Sequence, residues 1–372
     1  MSSSDTPSLD PEVHVVPDEA AGSELDEYLC LLFPGVTKGA LRRLVRDGQI
    51  SLDGTEVHPS TRLRRHQVIL CQFDPDALPR RKVAADLSGI GVLFESDEIL
   101  AIQKPPAIAV EPERWAAEEP CLADAARALE AHCAPGADGL PVRLRTLHRL
   151  DKGTSGVLLM AKHLDAERRL RGAFAEGRIA KRYLALVEGC PNLADGERAT
   201  IDKGLGSDPR KSGRMRIDAK GKPSVTEYEI VERFHGFSLL ACYPHTGRTH
   251  QIRVHLAAEG FPLLVDPVYG RRTQFLLSEV KRDYKLKPGR TERPLIDHLT
   301  LHAEAIAFPA NAAGDAQHAP DFDAFDGAVR QGEHRQRGDW TEVRAPLPAS
   351  LERVLKQLRK VRPHQPRRTY RD

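Results

Sequence analysis

The chain has 372 residues, with 55 Lys and Arg against 53 Asp and Glu and 40% hydrophobic residues, which suits two or three domains with a substantial core. No apolar run is long enough to span a membrane. The six cysteines, at positions 30, 71, 121, 133, 190 and 242, form no close pairs, and the fifteen histidines show no HExxH spacing. That pattern speaks against a disulfide framework, a zinc site or a signal-led export, and for free thiols in a cytoplasmic protein that needs no metal.

In chain order, residues 1–21 are rich in Ser, Pro and acid and read as a disordered leader. Residues 22–73 read as a small α/β domain. Leu41, Leu44 and Val45 have helical spacing for a buried face, Lys38, Arg42, Arg43 and Arg46 project elsewhere, and Gly48 ends the helix. Ile50 to Leu52, the turn Asp53-Gly54 and Thr55 to Val57 read as a hairpin. Between Lys38 and Arg65 seven Lys or Arg face three acidic residues. Such a patch suits phosphates, although a basic run by itself is more often a solvated helix face.

A linker is expected over 74–89 and a second, larger domain over 90–310. Residues 112–145, rich in Ala and acid, read as a helix with loops. The run HRLDKGTSG, His148 to Gly156, then sets a lone carboxylate, Asp151, before two glycines and the buried strand beginning at Val157. Gly153 and Gly156 permit a sharp turn, so Asp151 sits on a loop at a strand edge. Catalysis and mere capping of the turn have about equal claim on it. Further on, a strand from Ser238 to Tyr243 stops at Pro244, and Thr249 is placed to cap a helix running to Glu259. Arg248 then stands at a strand-to-helix turn, where its permanent charge and planar fork could hold a carboxylate. Beyond Pro309, residues 311–343 read as a flexible connector. Leu351, Val354, Leu355 and Leu358 give a final helix, followed by a basic tail with eight positive and two negative residues from Leu351 to the end.

The HRLDKGTSG run and TGRTHQIRVH, Thr246 to His255, resemble motifs of the RluA-like family of RNA pseudouridine synthases. Phe94 to Val110 with Lys104-Pro105, Lys181-Arg182-Tyr183 running on to Gly189, and Leu301-His302-Ala303 with Phe308-Pro309 are similar to further family motifs. After Lys104-Pro105, Pro106 and Ala107 replace the family's small residue and Gly, and Val265 replaces a Gly before Asp266. The resemblance implies an α+β fold, a mixed, mainly antiparallel sheet with a central cleft. Residues 22–73 resemble the S4-like RNA-binding domain that precedes this fold in several members.

Carried over by motif, the resemblance implies Asp151 as nucleophile, Arg248 as its salt-bridging partner, Tyr183 against the target base and Arg149 as a wedge entering the RNA. Lys38, Arg42, Arg43 and Arg46 would touch the RNA backbone. Moving a uracil from N1 to C5 attachment calls for a nucleophile and not a redox cofactor, so none is expected. Replacing Arg248 with Met should then suppress turnover while sparing RNA binding. Attack on the sugar, attack on the base and assisted elimination are all compatible with these residues. The expected partner is ribosomal RNA, with tRNA as the alternative, and the expected state is a monomer. A catalytically silent RNA-binding or assembly protein is a second class. A glycosidase would need a second placed carboxyl group, and these motifs hold none.

Overall fold

The computed structural model describes residues 12–16, 20–33, 36–74, 78, 90–111, 121–130, 133, 142, 144–286, 289–310, 322 and 334–364. The chain divides into two compact units, Met1–Leu87 with Pro112–Arg145 and Lys162–Glu167, and Ser88–Glu111 with Thr146–Ala161 and Arg168–Asp372. Among the described residues no helix is long and apolar enough to cross a membrane.

In the first unit, β1 (Glu12–Val15), β3 (Val68–Cys71) and β2 (Ile50–Leu52) form an antiparallel sheet in the order β1-β3-β2. With it come α1 (Leu25–Leu32) and α2 (Lys38–Arg46), and later in the chain α3 (Leu122–Glu130). Thr37 caps α2, accepting from the Ala40 amide at 3.2 Å, and Leu41, Leu44 and Val45 are buried as their spacing requires. Two expectations change. The leader contributes β1, because Glu12–Val15, with the β-branched Val13 and Val15, pairs with β3 inside an otherwise disorder-like composition. The return strand of the expected hairpin is β3 and not residues 55–57. Asp53 and Gly54 do form a tight turn, at φ 50° and 76°, but only Thr55 bridges back to Leu52. Asp53 instead accepts from the Val68 amide and the Gln67 side chain, both at 2.8 Å, which fastens the turn to β3. The first of those bonds chiefly lowers its pKa.

The remaining strands are β4 (Gly91–Glu95), β5 (Ile99–Lys104), β6 (Arg145–Thr146), β7 (Ser155–Ala161), β8 (Ala180–Glu188), β9 (Arg198–Asp202), β10 (Leu205–Ser207), β11 (Met215–Ile217), β12 (Val225–Phe234), β13 (Phe237–Pro244), β14 (Leu301–Pro309), β15 (His334–Arg337) and β16 (Trp340–Arg344). The helices are α4 (Leu164–Ala175), α5 (Gln251–Ala258) and α6 (Ala349–Val361). The long sheet runs β4-β5-β7-β14-β8-β13-β12-β9, with β16 also paired to β14 and β15 to β16. Along that path only β7 and β14 pair in parallel, so the sheet is mixed and mainly antiparallel, as expected.

Register gathers the chemistry. Ser155 at the start of β7 faces His302, the neighbouring Ala303 faces Tyr183, and Tyr183 faces Cys242 near the end of β13. The loops before β7 and after β13 therefore open onto one strip of sheet. Gly156 is what lets β7 approach β14, since a Cβ there would stand 2.1 Å from the Ala303 carbonyl oxygen and its φ is +120°. Gly153 faces Leu299 in the same way, at 2.7 Å, so both glycines serve close packing.

The connector expected over 311–343 ends in structure. Its first part lies outside the described residues except Phe322, but β15 and most of β16 fall within it. Thr341 and Glu342 are buried on β16, where Arg344 Nε donates to Glu342 at 2.5 Å. A strand that buries a paired carboxylate has the composition of a loop. The last helix is met: α6 buries Leu351, Val354, Leu355 and Leu358 in a cluster with Phe234, Leu239 and Phe275. The expected linker over 74–89 lies almost wholly outside the described residues, as do the first eleven residues and the tail beyond 364.

Candidate active site

The loop before β7 and the loop after β13 border a cavity of about 470 Å³. Asp151, Arg149, Lys181, Tyr183, Arg248 and Arg253 line it, so four cations surround a single carboxylate. That balance favours an anionic ligand.

The Asp151 main-chain carbonyl accepts from the Thr154 amide at 3.0 Å and closes the turn. Its carboxylate goes elsewhere: Oδ2 accepts from Arg253 Nη1 at 2.9 Å, and Oδ1 lies 4.0 Å from His250 Nε2. The turn is made by backbone, which leaves the carboxylate available to the cavity. Its side chain is 24% exposed, whereas Arg253 is 5% exposed.

The cation beside Asp151 is thus Arg253, and the expectation that Arg248 would fill this place is corrected. Arg248 is exposed; its Nε donates to the Pro223 carbonyl at 3.3 Å and its amide to Gln251 Oε1 at 3.0 Å. The reason is where the helix begins. Thr249 is not its cap, because His250 takes a left-handed conformation at φ 56° and α5 starts at Gln251. Gln251 also accepts from Thr246 Oγ1 at 2.7 Å and donates to Val225 O and Thr226 Oγ1, both at 2.9 Å, which pins the loop to β12. Arg248 is left outside that knot, and Arg253 enters the interior on the first turns of α5.

Arg253 is held from both sides. Its Nε and Nη2 donate to the two oxygens of Asp266, at 2.8 and 2.9 Å, a bidentate pair that fixes the guanidinium plane. Asp266 Oδ1 in turn accepts from the amides of Val268 and Tyr269 at 2.8 and 3.1 Å. Burial works against both charges, yet the pairing prevails: the Arg253 pKa is raised and the Asp266 pKa is lowered. A signal for Arg253 was present in the sequence. It stands among Ile252, Val254 and Leu256 on a helix whose first six residues are all buried, and a buried guanidinium requires carboxylates.

His250 hydrogen-bonds through Nδ1 to Tyr269 Oη at 2.8 Å, and Tyr269 Oη accepts from the Met215 amide at 2.7 Å. Burial, more than the opposing charge of Asp151, lowers the His250 pKa. Burial raises the Tyr183 pKa, with the Asp151 charge adding to it, so its phenol stays protonated at neutral pH. Arg149 is 74% exposed at the cavity's solvent edge, where its Nη1 pairs with Glu111 at 4.0 Å.

On the first unit, the four basic side chains of α2 divide. Arg42 Nε donates to the fully buried Asp26 at 2.5 Å, and Lys38 lies 3.4 Å from the same carboxylate. Arg43 and Arg46 are exposed. Two of the four charges thus hold α1 to α2, and two face solvent.

Residues 98–258 match the family described as RNA pseudouridylate synthase. The chain is 31% identical over 345 residues to Ribosomal large subunit pseudouridine synthase D of Xanthomonas campestris pv. campestris, covering 93% of this chain and 92% of that protein. It is 29% identical over 346 residues to Uncharacterized RNA pseudouridine synthase YlyB of Bacillus subtilis, covering 92% and 96%. Among solved structures, Human RNA Pseudouridylate Synthase Domain Containing 4 is 21% identical, with a TM-score of 0.49, over 72% of this chain and 93% of that one.

Proposed function

Because this chain belongs to the RNA pseudouridylate synthase family and is an isomerase of that kind, we propose that it converts uridine to pseudouridine in large-subunit ribosomal RNA with Asp151 as nucleophile. The observation that carries the site assignment is the chain of contacts Asp151–Arg253–Asp266, which orients one carboxylate at the edge of a cation-lined cavity. Support for ribosomal RNA comes from the relatives named for the large ribosomal subunit.

The chemistry asked of the residues is modest in kind. The base must leave the helix, at a cost of a few kcal/mol. Arg149, exposed at the cavity rim, would occupy the space left behind, and Tyr183 would take the flipped uracil against its ring. Asp151 would then act at the nucleotide while Arg253 keeps its carboxylate charged and oriented. The product has the composition of the substrate, with the C5 hydrogen given up and one proton taken up at N1. Residues 22–73 would serve as an S4-like RNA-binding domain, with Arg43 and Arg46 on phosphates.

Mapping pseudouridine across ribosomal and transfer RNA from cells with and without this gene tests the reading. Loss of signal at a defined large-subunit uridine is the expected result. Loss confined to a tRNA would move the substrate, and an unchanged map would refute the proposal.

A further inference from the structure

Three of the four cations lining the cavity have other engagements. Arg253 is bound by two carboxylates, Arg248 donates to a backbone carbonyl, and Arg149 is at the solvent edge. Lys181 is different. It stands on β8 two residues before Tyr183, so both side chains leave the same face of the strand, roughly 7 Å apart along it, and both line the cavity. Its Nζ makes one hydrogen bond, a long one of 3.3 Å to the Thr246 carbonyl. No carboxylate among the described residues lies within ion-pair distance of it. Burial of an ammonium with its charge unmatched is unfavourable, and it draws the Lys181 pKa down to about 8. Such an arrangement is tolerated where an anion arrives during the reaction.

We propose that Lys181 is a catalytic residue that stabilises the negative charge appearing on the uracil ring when the N1–C1′ bond breaks. This rests on the reading that the flipped uridine lies against Tyr183. When N1–C1′ breaks, its electron pair stays with the base, and the charge spreads over N1 and the two carbonyl oxygens. An ammonium two residues from the base platform is placed to meet it. Re-bonding through C5 returns a pair to C1′, the C5 proton leaves and N1 gains one, so the balance closes without oxidant or reductant. Lys181 supplies charge throughout and transfers no proton.

The groups around this face of the cavity are His148 and Asp151 before β7, Tyr183 on β8, His245, Arg248 and His250 after β13, and Arg253 on α5. Burial and the neighbouring Lys181 charge draw the His148 pKa down to about 3, and its Nε2 accepts from the Leu159 amide at 3.1 Å. His250 is shifted down and Tyr183 up, and His245 pairs with Glu227 at 3.3 Å outside this contact. Burial draws the Lys104 pKa down to about 7 against the pull of Asp151, but its Nζ donates to the Pro105 and Lys152 carbonyls outside the cavity lining. Among the groups that line the cavity Lys181 is therefore the one whose charge is lost near pH 8, and K181R separates the two lysines.

The test is single-turnover cleavage of the glycosidic bond in RNA carrying uridine or 5-fluorouridine, from pH 6 to 10, for wild type, K181M and K181R. Fluorine withdraws electrons and makes the base a better leaving group, less dependent on a cation. K181M should lose about 10²–10³-fold on uridine, a clearly smaller factor on 5-fluorouridine, and the alkaline limb near pH 8. K181R should keep much of the rate and lose that limb, since a guanidinium does not titrate there. The melting temperature of K181M should be equal or higher, because an unmatched, half-buried charge has been removed. Equal losses on both RNAs, a lowered melting temperature that accounts for the loss, or an unaffected K181M would overturn the inference alone. Wild-type protein without turnover on ribosomal or transfer RNA transcripts would overturn the reading of the site, and this inference with it.

Discussion

Asp151 and Asp266 share one guanidinium, and the division of its donors decides what each substitution should do. Removing Arg253 leaves two carboxylates near each other without a counter-charge, one of them only 1% exposed. Truncating one partner of such a buried pair costs about 3–5 kcal/mol. R253M is therefore expected to lower thermal stability clearly and to reduce turnover by about 10³-fold or more, by the same electrostatic loss. R248M, by contrast, removes an exposed side chain hydrogen-bonded to Pro223 and should keep turnover within about tenfold of wild type. Kinetic assays and melting curves on the two variants check the assignment, and the opposite ranking would restore Arg248 to the catalytic role. The motif around both arginines was legible in the sequence. Which arginine turns inward was not, because that depends on the left-handed His250 and on the Gln251 knot, neither of which has a signature in residue spacing. Ala107 is a further case: it holds φ +66° where the family pattern has Gly, a conformation that is costly for a β-carbon by about 1–2 kcal/mol.

Among the elements, the junction of β7 and β14 carries the loop that holds Asp151. Gly156→Ala places a methyl group against the Ala303 carbonyl and should destabilise the protein by about 3 kcal/mol or more, read from denaturant midpoints. Gly172→Ala is the matching control. It lies within α4 with open space around it, and should stabilise by up to about 1 kcal/mol. The same junction has a pH dependence. His302 is fully buried, its Nδ1 2.9 Å from Ser155 Oγ and its Nε2 3.3 Å from the Ala345 carbonyl. Burial draws its pKa down to about 4, against the pull of the Ala345 hydrogen bond. The unfolded chain takes up this proton near pH 6.5 and the folded one only near 4, so stability falls as pH drops through that window, by about 3 kcal/mol for this group. His302→Asn should flatten that part of the stability profile; an unchanged slope would place the acid sensitivity elsewhere. Periodicity revealed α2 and α6, whose buried faces are apolar. It missed β16, whose buried residues include Thr341 and Glu342, and it missed β1, whose valines sit in an acid-rich leader.

For the molecule as a whole, net charge conceals local charge: the chain is +2 overall, while α2 concentrates Lys38, Arg42, Arg43 and Arg46 within nine residues. The ion pairs sort these four by purpose. R43A/R46A should weaken RNA binding and shallow its salt dependence by about two phosphate contacts, with the melting temperature nearly unchanged. K38A/R42A should instead lower stability, because the fully buried Asp26 loses its partners. Filter binding across a salt series, with melting curves, distinguishes the two pairs. In that unit α2 was readable from apolar spacing and α1 was not, and the mixed sheet of the larger unit was expected from the resemblance of its motifs. The pairing order that brings residues 151, 183 and 253 together depends on long-range register, which no local pattern encodes.

The central claim is that Asp151, held by Arg253, acts on a uridine in this cavity. The most direct test is release of tritium to water from RNA labelled at uridine C5, measured for the wild type and for D151N with pseudouridine quantified in the same RNA. Stoichiometric tritium release and pseudouridine in the wild type, with neither in folded D151N, is the expected result. Turnover persisting in D151N, or none in the wild type on RNA lacking the modification, would contradict it.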